Sequence, residues 1–177
     1  VSELVGYAAN RHYKAMVEEK GATTIAKQAE VLLEETVKRI ASLVAQWQGL
    51  GFIHGVMNTD NMLLSGQTID YGPCAFVDTY KADAKFSAID SQGRYRLSNQ
   101  PGIAHWNTSV LASCLLKVLN SEEDKAIAFA QAVIDEFPRW YAEAYKARMA
   151  AKLGLDAFRE EATALADNFL QPLATDT

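Results

Sequence analysis

HGVMNTDNMLLSGQTIDYG, residues 54–72, decides how the rest of the chain is read. Met62, Leu63 and Leu64 are apolar and suited to an extended strand, Ser65-Gly66 carries turn chemistry, and Gln67 to Ile69 return as a second short strand ending at Asp70-Tyr71-Gly72. A hairpin of this kind brings the Asn61 amide oxygen and the Asp70 carboxylate to one ion. Two hard oxygen donors suit Mg²⁺, with Mn²⁺ as an alternative, because such ions keep several waters and lean on phosphate oxygens. Singly, Asn61 and Asp70 are better explained as turn residues that hydrogen-bond their own backbone. The preceding His54-Gly55 and the following Tyr71-Gly72 favour metal ligation by the pair.

The spacing is that of kinase-like enzymes, whose catalytic loop carries an Asn and whose DFG Asp follows a short strand-turn-strand later, the two holding metal ions that bridge the triphosphate. Kinases also place an Asp five positions before that Asn. Here that position is Val56, which can neither accept nor orient a proton. Asp60 is the nearest carboxylate, and in Asn58-Thr59-Asp60-Asn61 it serves equally as a base, an Asx-turn residue or a hydrogen-bond partner of Asn61. His54 matches the kinase loop His, a structural residue whose ring ties the loop to the DFG backbone, and it is assigned no chemistry.

Upstream, Ala29, Leu33, Val37, Ile40, Val44 and Trp47 recur at three- and four-residue steps with charged residues between them, which predicts an amphipathic helix over about 24–48 ended by Gly49 and Gly51. In a kinase-like lobe such a helix lies beneath the catalytic loop. Downstream, residues from Gly72-Pro73 to Pro101 lack periodicity and stand where an activation segment would. A buried helix is predicted over 103–118 with Ile103, Trp106, Val110, Cys114 and Leu115 or Val118 on its apolar side. The last third reads as helical. Ser121 caps a helix with an acidic first turn and an Ile127, Ala130, Ile134, Phe137 stripe; Pro138 ends it or opens the next, which carries Trp140, Tyr141, Ala144, Tyr145 and Met149 as core; a final helix spans about 156–169.

The 177 residues, 49% of them apolar, fit one domain or a large piece of one. A net charge of −5 with no Lys/Arg cluster argues against nucleic acid as a partner, and no apolar run approaches the ~20 residues that span a bilayer. Cys74 and Cys114 form neither a metal pair nor a disulfide framework; both are expected to be small buried residues in a reducing compartment. His12 and His105 have no ligand partner at useful spacing. The absence of an initiator Met and the helical opening suggest a fragment of a longer protein.

The segments LVAQWQ (43–48), GFIHGVMNTDN (51–61), TIDYGP (68–73), GRY (93–95), NQP (99–101) and WN (106–107) resemble the selenoprotein O family of kinase-like proteins, most strongly from about Thr36 to Leu119. The resemblance implies a mainly α fold with a small β-hairpin (α+β), a protein-kinase-like C-terminal lobe with additional C-terminal helices. Its expected divisions are 1–50, helices before the catalytic loop; 51–73, the loop and DYG hairpin; 74–119, an activation-segment-like loop and buried helix; and 120–177, C-terminal helices.

The implied activity is protein adenylylation, transfer of AMP from ATP to Ser, Thr or Tyr hydroxyls of proteins, with the nucleotide bound inverted. Carried over by position, Asp60 is the proton acceptor, Asn61 a metal ligand, and Asp70 a ligand of the metal and a contact of ATP. The family's glycine-rich loop, phosphate-binding Lys and Arg residues and C-terminal redox residue have no counterpart here, so residues 1–177 alone are expected to be inactive. The compartment implied is the bacterial cytoplasm, or the mitochondrion for a eukaryotic source. The competing readings are a non-catalytic kinase-like (pseudokinase) binding module and a small-molecule phosphotransferase; the latter is weakened by Val56.

Overall fold

A computed structural model describes residues 1–155; the helix expected over 156–169 lies outside them. The described chain is mainly helical. Two short helices, α1 (Ser2–His12) and α2 (Lys14–Glu19), lead into α3 (Ile25–Leu50). Strands β1 (Phe52–Ile53) and β2 (Ala75–Phe76) bracket the 54–72 segment, and α4 (Gln100–Leu119), α5 (Glu123–Asp135) and α6 (Phe137–Lys152) follow.

Helix α3 is the axis of the core. Thr24 caps its start by accepting from the Lys27 N–H at 3.3 Å, and Gly51 ends it in the left-handed conformation at φ 67°. All six residues of its predicted stripe are buried, and α1, α4 and α6 pack around it. Each such Val, Leu or Ile contributes about 1.5–3 kcal/mol on burial, which fixes the helix although its exposed face is charged. On that face Lys20 and Lys38 both pair with Glu34, at 2.7 and 2.6 Å. Burial alone would push the Glu34 carboxyl up, but the two lysine hydrogen bonds outweigh it and hold it below the usual range.

The sheet differs from expectation. Residues 62–69 do not form a ladder; one antiparallel bridge, Met62 to Thr68, spans the turn, and the Gly66 N–H donates to the Leu63 carbonyl at 2.9 Å. The two-stranded sheet instead pairs Phe52 with Phe76 and Ile53 with Ala75, closing the segment at its base. The reason lies in the flanks. Trp47 Nε1 donates to Thr68 Oγ1 at 3.2 Å, and Thr36 Oγ1 donates to the Leu64 carbonyl at 3.2 Å, so side chains from α3 hold the turn that a ladder would otherwise hold.

Helix α4 begins three residues before its predicted start, with Pro101 in the first turn. Its buried face is Gln100, Ile103, Ala104, Asn107, Thr108, Ala112, Leu115 and Leu119. Trp106 and Cys114, expected inside, are exposed. The Arg94 guanidinium lies 5.1 Å from the Trp106 ring, so the indole is spent on a surface cation–π contact. In α5 the buried residues are Ala126, Ala130, Val133 and Ile134, while Ile127 is exposed.

Ser121 is not the cap of α5, whose N-cap position is Glu122 with no side-chain cap; the Asn120 side chain accepts from the Glu122 N–H at 2.9 Å, an Asx turn that leads the chain into the helix. Pro138 opens α6. His105, Phe137, Tyr141 and Tyr145 stack in a column with ring centroids 5.0, 6.5 and 6.0 Å apart. Burial, reinforced by Tyr145 and Tyr80, pushes the Tyr141 hydroxyl up to about 12.

Candidate functional site

The segment 54–72 folds over the C-terminal end of α3. His54 is fully buried between Trp47 and Phe52, its ring centroid 5.4 Å from the indole. Its Nδ1 accepts from the Val56 N–H at 3.3 Å, which leaves Nε2 to donate to the Ile69 carbonyl at 2.8 Å. The ring thus spans the two arms of the segment and grips the residue before Asp70, the structural role expected of it. Gly55 sits at φ 84°, where a Cβ would stand 2.9 Å from the Pro73 carbonyl oxygen. Only glycine permits both the backbone angle and the approach.

Asn61 and Asp70 come together. The Asn61 Nδ2 donates to Asp70 Oδ2 at 2.8 Å and to the Val56 carbonyl at 3.0 Å. It is the amide nitrogen, rather than the oxygen of the hairpin reading, that faces the carboxylate. Val56 acts at the site through its backbone, as donor to His54 and acceptor from Asn61. Asp70 has φ 55°, and among the described residues it is the one non-glycine residue with positive φ. Asp tolerates that region better than most residues, yet such a conformation persists only where the surroundings impose it, and these positions concentrate at functional sites. Here the His54–Ile69 bond and the Gly55–Pro73 contact impose it from either side.

Asp60 lies in a short 3₁₀ turn, Thr59–Asn61, and is exposed. Among the described residues its carboxylate has no hydrogen bond to Asn61 or Asp70, which removes the reading of Asp60 as partner to the Asn61 amide. The acid is left facing solvent.

Four residues outside the predicted set build the frame. Gln100, fully buried at the start of α4, accepts from the His54 N–H and donates to the Phe52 carbonyl, both at 2.9 Å. Asn107, on the same face of α4, donates to the Met57 carbonyl at 3.0 Å. Tyr95 donates to Asn58 Oδ1 at 2.6 Å, and buried Asp90 accepts from the Arg94 and Tyr95 N–H groups at 2.7 and 2.8 Å, so the irregular 74–99 stretch is itself tied to the site. The signal for Gln100, Asn107 and Thr108 is polarity at seven- and eight-residue spacing, which puts all three on the helix face that also carries Ile103, Ala104 and Leu115.

The donor set fits a hard divalent cation. One carboxylate and one amide in contact, open to solvent, offer oxygen ligands and leave positions for water and phosphate. Among the described residues no group of three or more His, Cys, Asp or Glu surrounds such an ion, so phosphate oxygens would have to complete its shell. No helix among them is long and apolar enough to cross a membrane.

Along its whole length, residues 1–177, the chain matches the family described as protein adenylyltransferase SelO. It is 52% identical over 152 residues to a protein nucleotidyltransferase YdiU of Anoxybacillus flavithermus, covering 86% of this chain and 30% of that protein. A protein of the same name from Bacillus cereus is 43% identical over 171 residues, covering 97% of this chain and 34% of the relative. One from Rhodopseudomonas palustris is 44% identical over 174 residues, covering 98% and 34%. The chain spans about a third of the length of these relatives, and it belongs to the SelO family of protein adenylyltransferases.

Proposed function

We propose that this chain is the metal-holding part of a protein adenylyltransferase, a kinase-like C-terminal lobe divided as the sequence suggests at about residues 50, 73 and 119. The reaction is attack of a Ser, Thr or Tyr hydroxyl oxygen of a protein on the α-phosphorus of ATP, forming the phosphoester to AMP as pyrophosphate leaves. The observation that carries this reading is the Asn61–Asp70 contact, with Asp70 held at positive φ, in a chain of this family.

Each residue has a distinct task. Asp70 contacts the nucleotide and, with Asn61, would hold Mg²⁺, or Mn²⁺ in its place; the bound ion supplies charge neutralisation along the phosphates. Asp60, exposed beside the pair and free of competing bonds to it, receives the hydroxyl proton as the oxygen attacks. His54 and Gln100 carry no proton in this scheme; they keep Asp70 where it stands. The relatives' name, protein nucleotidyltransferase, supports nucleotidyl transfer, and their bacterial sources support a cytoplasmic setting.

The test is AMP transfer by the full-length protein containing this chain, read as the mass added to an acceptor protein. Asp70→Asn keeps a residue that tolerates positive φ while removing the charge, and should abolish both transfer and Mg²⁺-dependent ATP binding. Unchanged ATP affinity in that variant would sink the ligand assignment. Mg²⁺-dependent ATP binding by the wild type with no transfer to any protein acceptor would favour the non-catalytic binding module instead.

A further inference from the structure

The turn at residues 63–66 lies midway along the chain between Asn61 and Asp70, and its backbone is held from outside the segment. Tyr13, buried at the elbow between α1 and α2, donates its hydroxyl to the Leu64 carbonyl, the same oxygen that accepts from Thr36. A carbonyl oxygen has two lone pairs, so it can accept from both donors at once. Burial outweighs the Arg39 charge and pushes the Tyr13 hydroxyl above its ordinary value near 10, which keeps it a donor.

Arg39 completes the fastening. Its guanidinium lies 4.4 Å from the Tyr13 ring centroid and donates to the Ser65 carbonyl at 3.3 Å and to the His12 carbonyl at 3.4 Å, so one side chain of α3 ties the elbow to the turn. Gly66, at φ 70°, lies against the same residue: a Cβ there would stand 2.5 Å from Arg39 Cβ and 3.3 Å from its carbonyl carbon. The turn is seated directly on α3, with no room for a side chain between them.

We propose that Tyr13 and Arg39 are positioning residues for the metal pair: by fixing the turn against α3 they set the separation of Asn61 and Asp70, and so the affinity of the pair for a divalent cation. The inference rests on the reading of Asn61 and Asp70 as ligands. The Asp70 arm is already held at Thr68 by Trp47 and at Ile69 by His54, whereas the stretch that follows Asn61 reaches α3 through the Leu64 carbonyl. Loosening at Leu64 therefore moves Asn61 relative to a fixed Asp70.

Tyr13→Phe removes one donor, keeps the ring beside Arg39 and leaves Leu64 its bond from Thr36, so the variant should fold. In the full-length protein with α,β-methylene ATP, Mn²⁺ affinity is read from the EPR signal of the free ion. The fastening of the turn is read in the metal-free protein from hydrogen–deuterium exchange at the Gly66 amide, which donates to the Leu63 carbonyl. Tyr13→Phe should weaken Mn²⁺ binding by about fivefold to tenfold, the worth of one hydrogen bond, and speed exchange at Gly66 by a similar factor. Arg39→Lys keeps the charge but not the span between two carbonyls, and should do the same. Ile134→Val, which trims a buried residue of α5, should lower the thermal midpoint comparably and change neither reading. Either change without the other in Tyr13→Phe, or neither, overturns the proposal; so does an equal loss of Mn²⁺ affinity in Ile134→Val, which would make the effect one of general stability. Asp70→Asn separates the two readings. If it abolishes Mn²⁺ binding while Tyr13→Phe binds as the wild type does, positioning alone fails; if Asp70→Asn keeps the wild-type affinity, the ligand reading fails and this proposal with it.

Discussion

Replacing Gln100 by Leu tests the frame most directly. The side chain is fully buried and bonds to two backbone groups two residues apart, the Phe52 carbonyl and the His54 N–H. Leu fills similar space but leaves both groups buried without partners. Each such loss costs about 1–3 kcal/mol, so the variant should lose about 2–6 kcal/mol of unfolding free energy, a large part of the ~5–15 kcal/mol of an ordinary domain. Denaturant unfolding of the full-length protein measures it.

Gln100→Glu gives the second arm. An ionised Glu still accepts from His54 but faces the Phe52 carbonyl with a second acceptor, whereas a protonated Glu can donate to it. The folded pKa of that Glu is therefore raised above its unfolded value of about 4.3. Its contribution to stability is fully present below that unfolded value and is lost as pH rises through the folded one, so this variant should gain on the wild type as pH falls. A Leu variant within 0.5 kcal/mol of wild type (order of magnitude as for a surface site), or a Glu variant with the wild-type pH profile, would refute the clamp.

Three further outcomes are expected. Asp60→Ala should lower turnover by about 10²–10⁴-fold while ATP affinity stays near normal, measured by steady-state kinetics and calorimetry; a parallel fall in affinity would make Asp60 an organiser of the site. Gly55→Ala should destabilise by more than the ~1–2 kcal/mol of a left-handed residue, because its Cβ also meets the Pro73 carbonyl at 2.9 Å, and thermal unfolding reads it. Tyr141 is pushed up to about 12 by burial, so its share of stability is present below its ordinary value near 10 and is lost as pH rises from there. Tyr141→Phe should flatten the alkaline limb of the stability profile, and an unchanged limb would show that the hydroxyl is not what titrates.

Helix α3 was legible in the sequence because its apolar period and its Gly51 stop agree with one another, while the Thr24 cap emerged only in the fold. Asn61 and Asp70 were legible as a pair because local motif chemistry placed them, although only the folded chain shows which amide atom faces the acid. The sheet was not legible. Whether residues 62–69 form a ladder depends on Trp47 and Thr36, whose hydrogen bonds to the turn arrive from across the fold. Trp106 failed for the same kind of reason: hydrophobicity alone predicts burial, but Arg94 supplies a surface partner for its ring. The acid at position 60 could not be separated into base or scaffold from sequence, since an Asx turn and a free carboxylate are written with the same letter.

Apart from the buried Asp90 carboxylate and the Arg39 guanidinium, both bonded to neutral backbone groups, the frame around the pair is fastened by neutral groups: the amides of Gln100, Asn107 and Asn58, the Tyr95 hydroxyl and an imidazole bonded at both nitrogens. Mobile ions screen exposed charges and leave contacts between neutral groups almost untouched. Raising ionic strength should therefore weaken whatever charged molecule docks at Asp60 and Asp70 without loosening the arms that present them, so that a salt titration of this site reads recognition and not the integrity of its support.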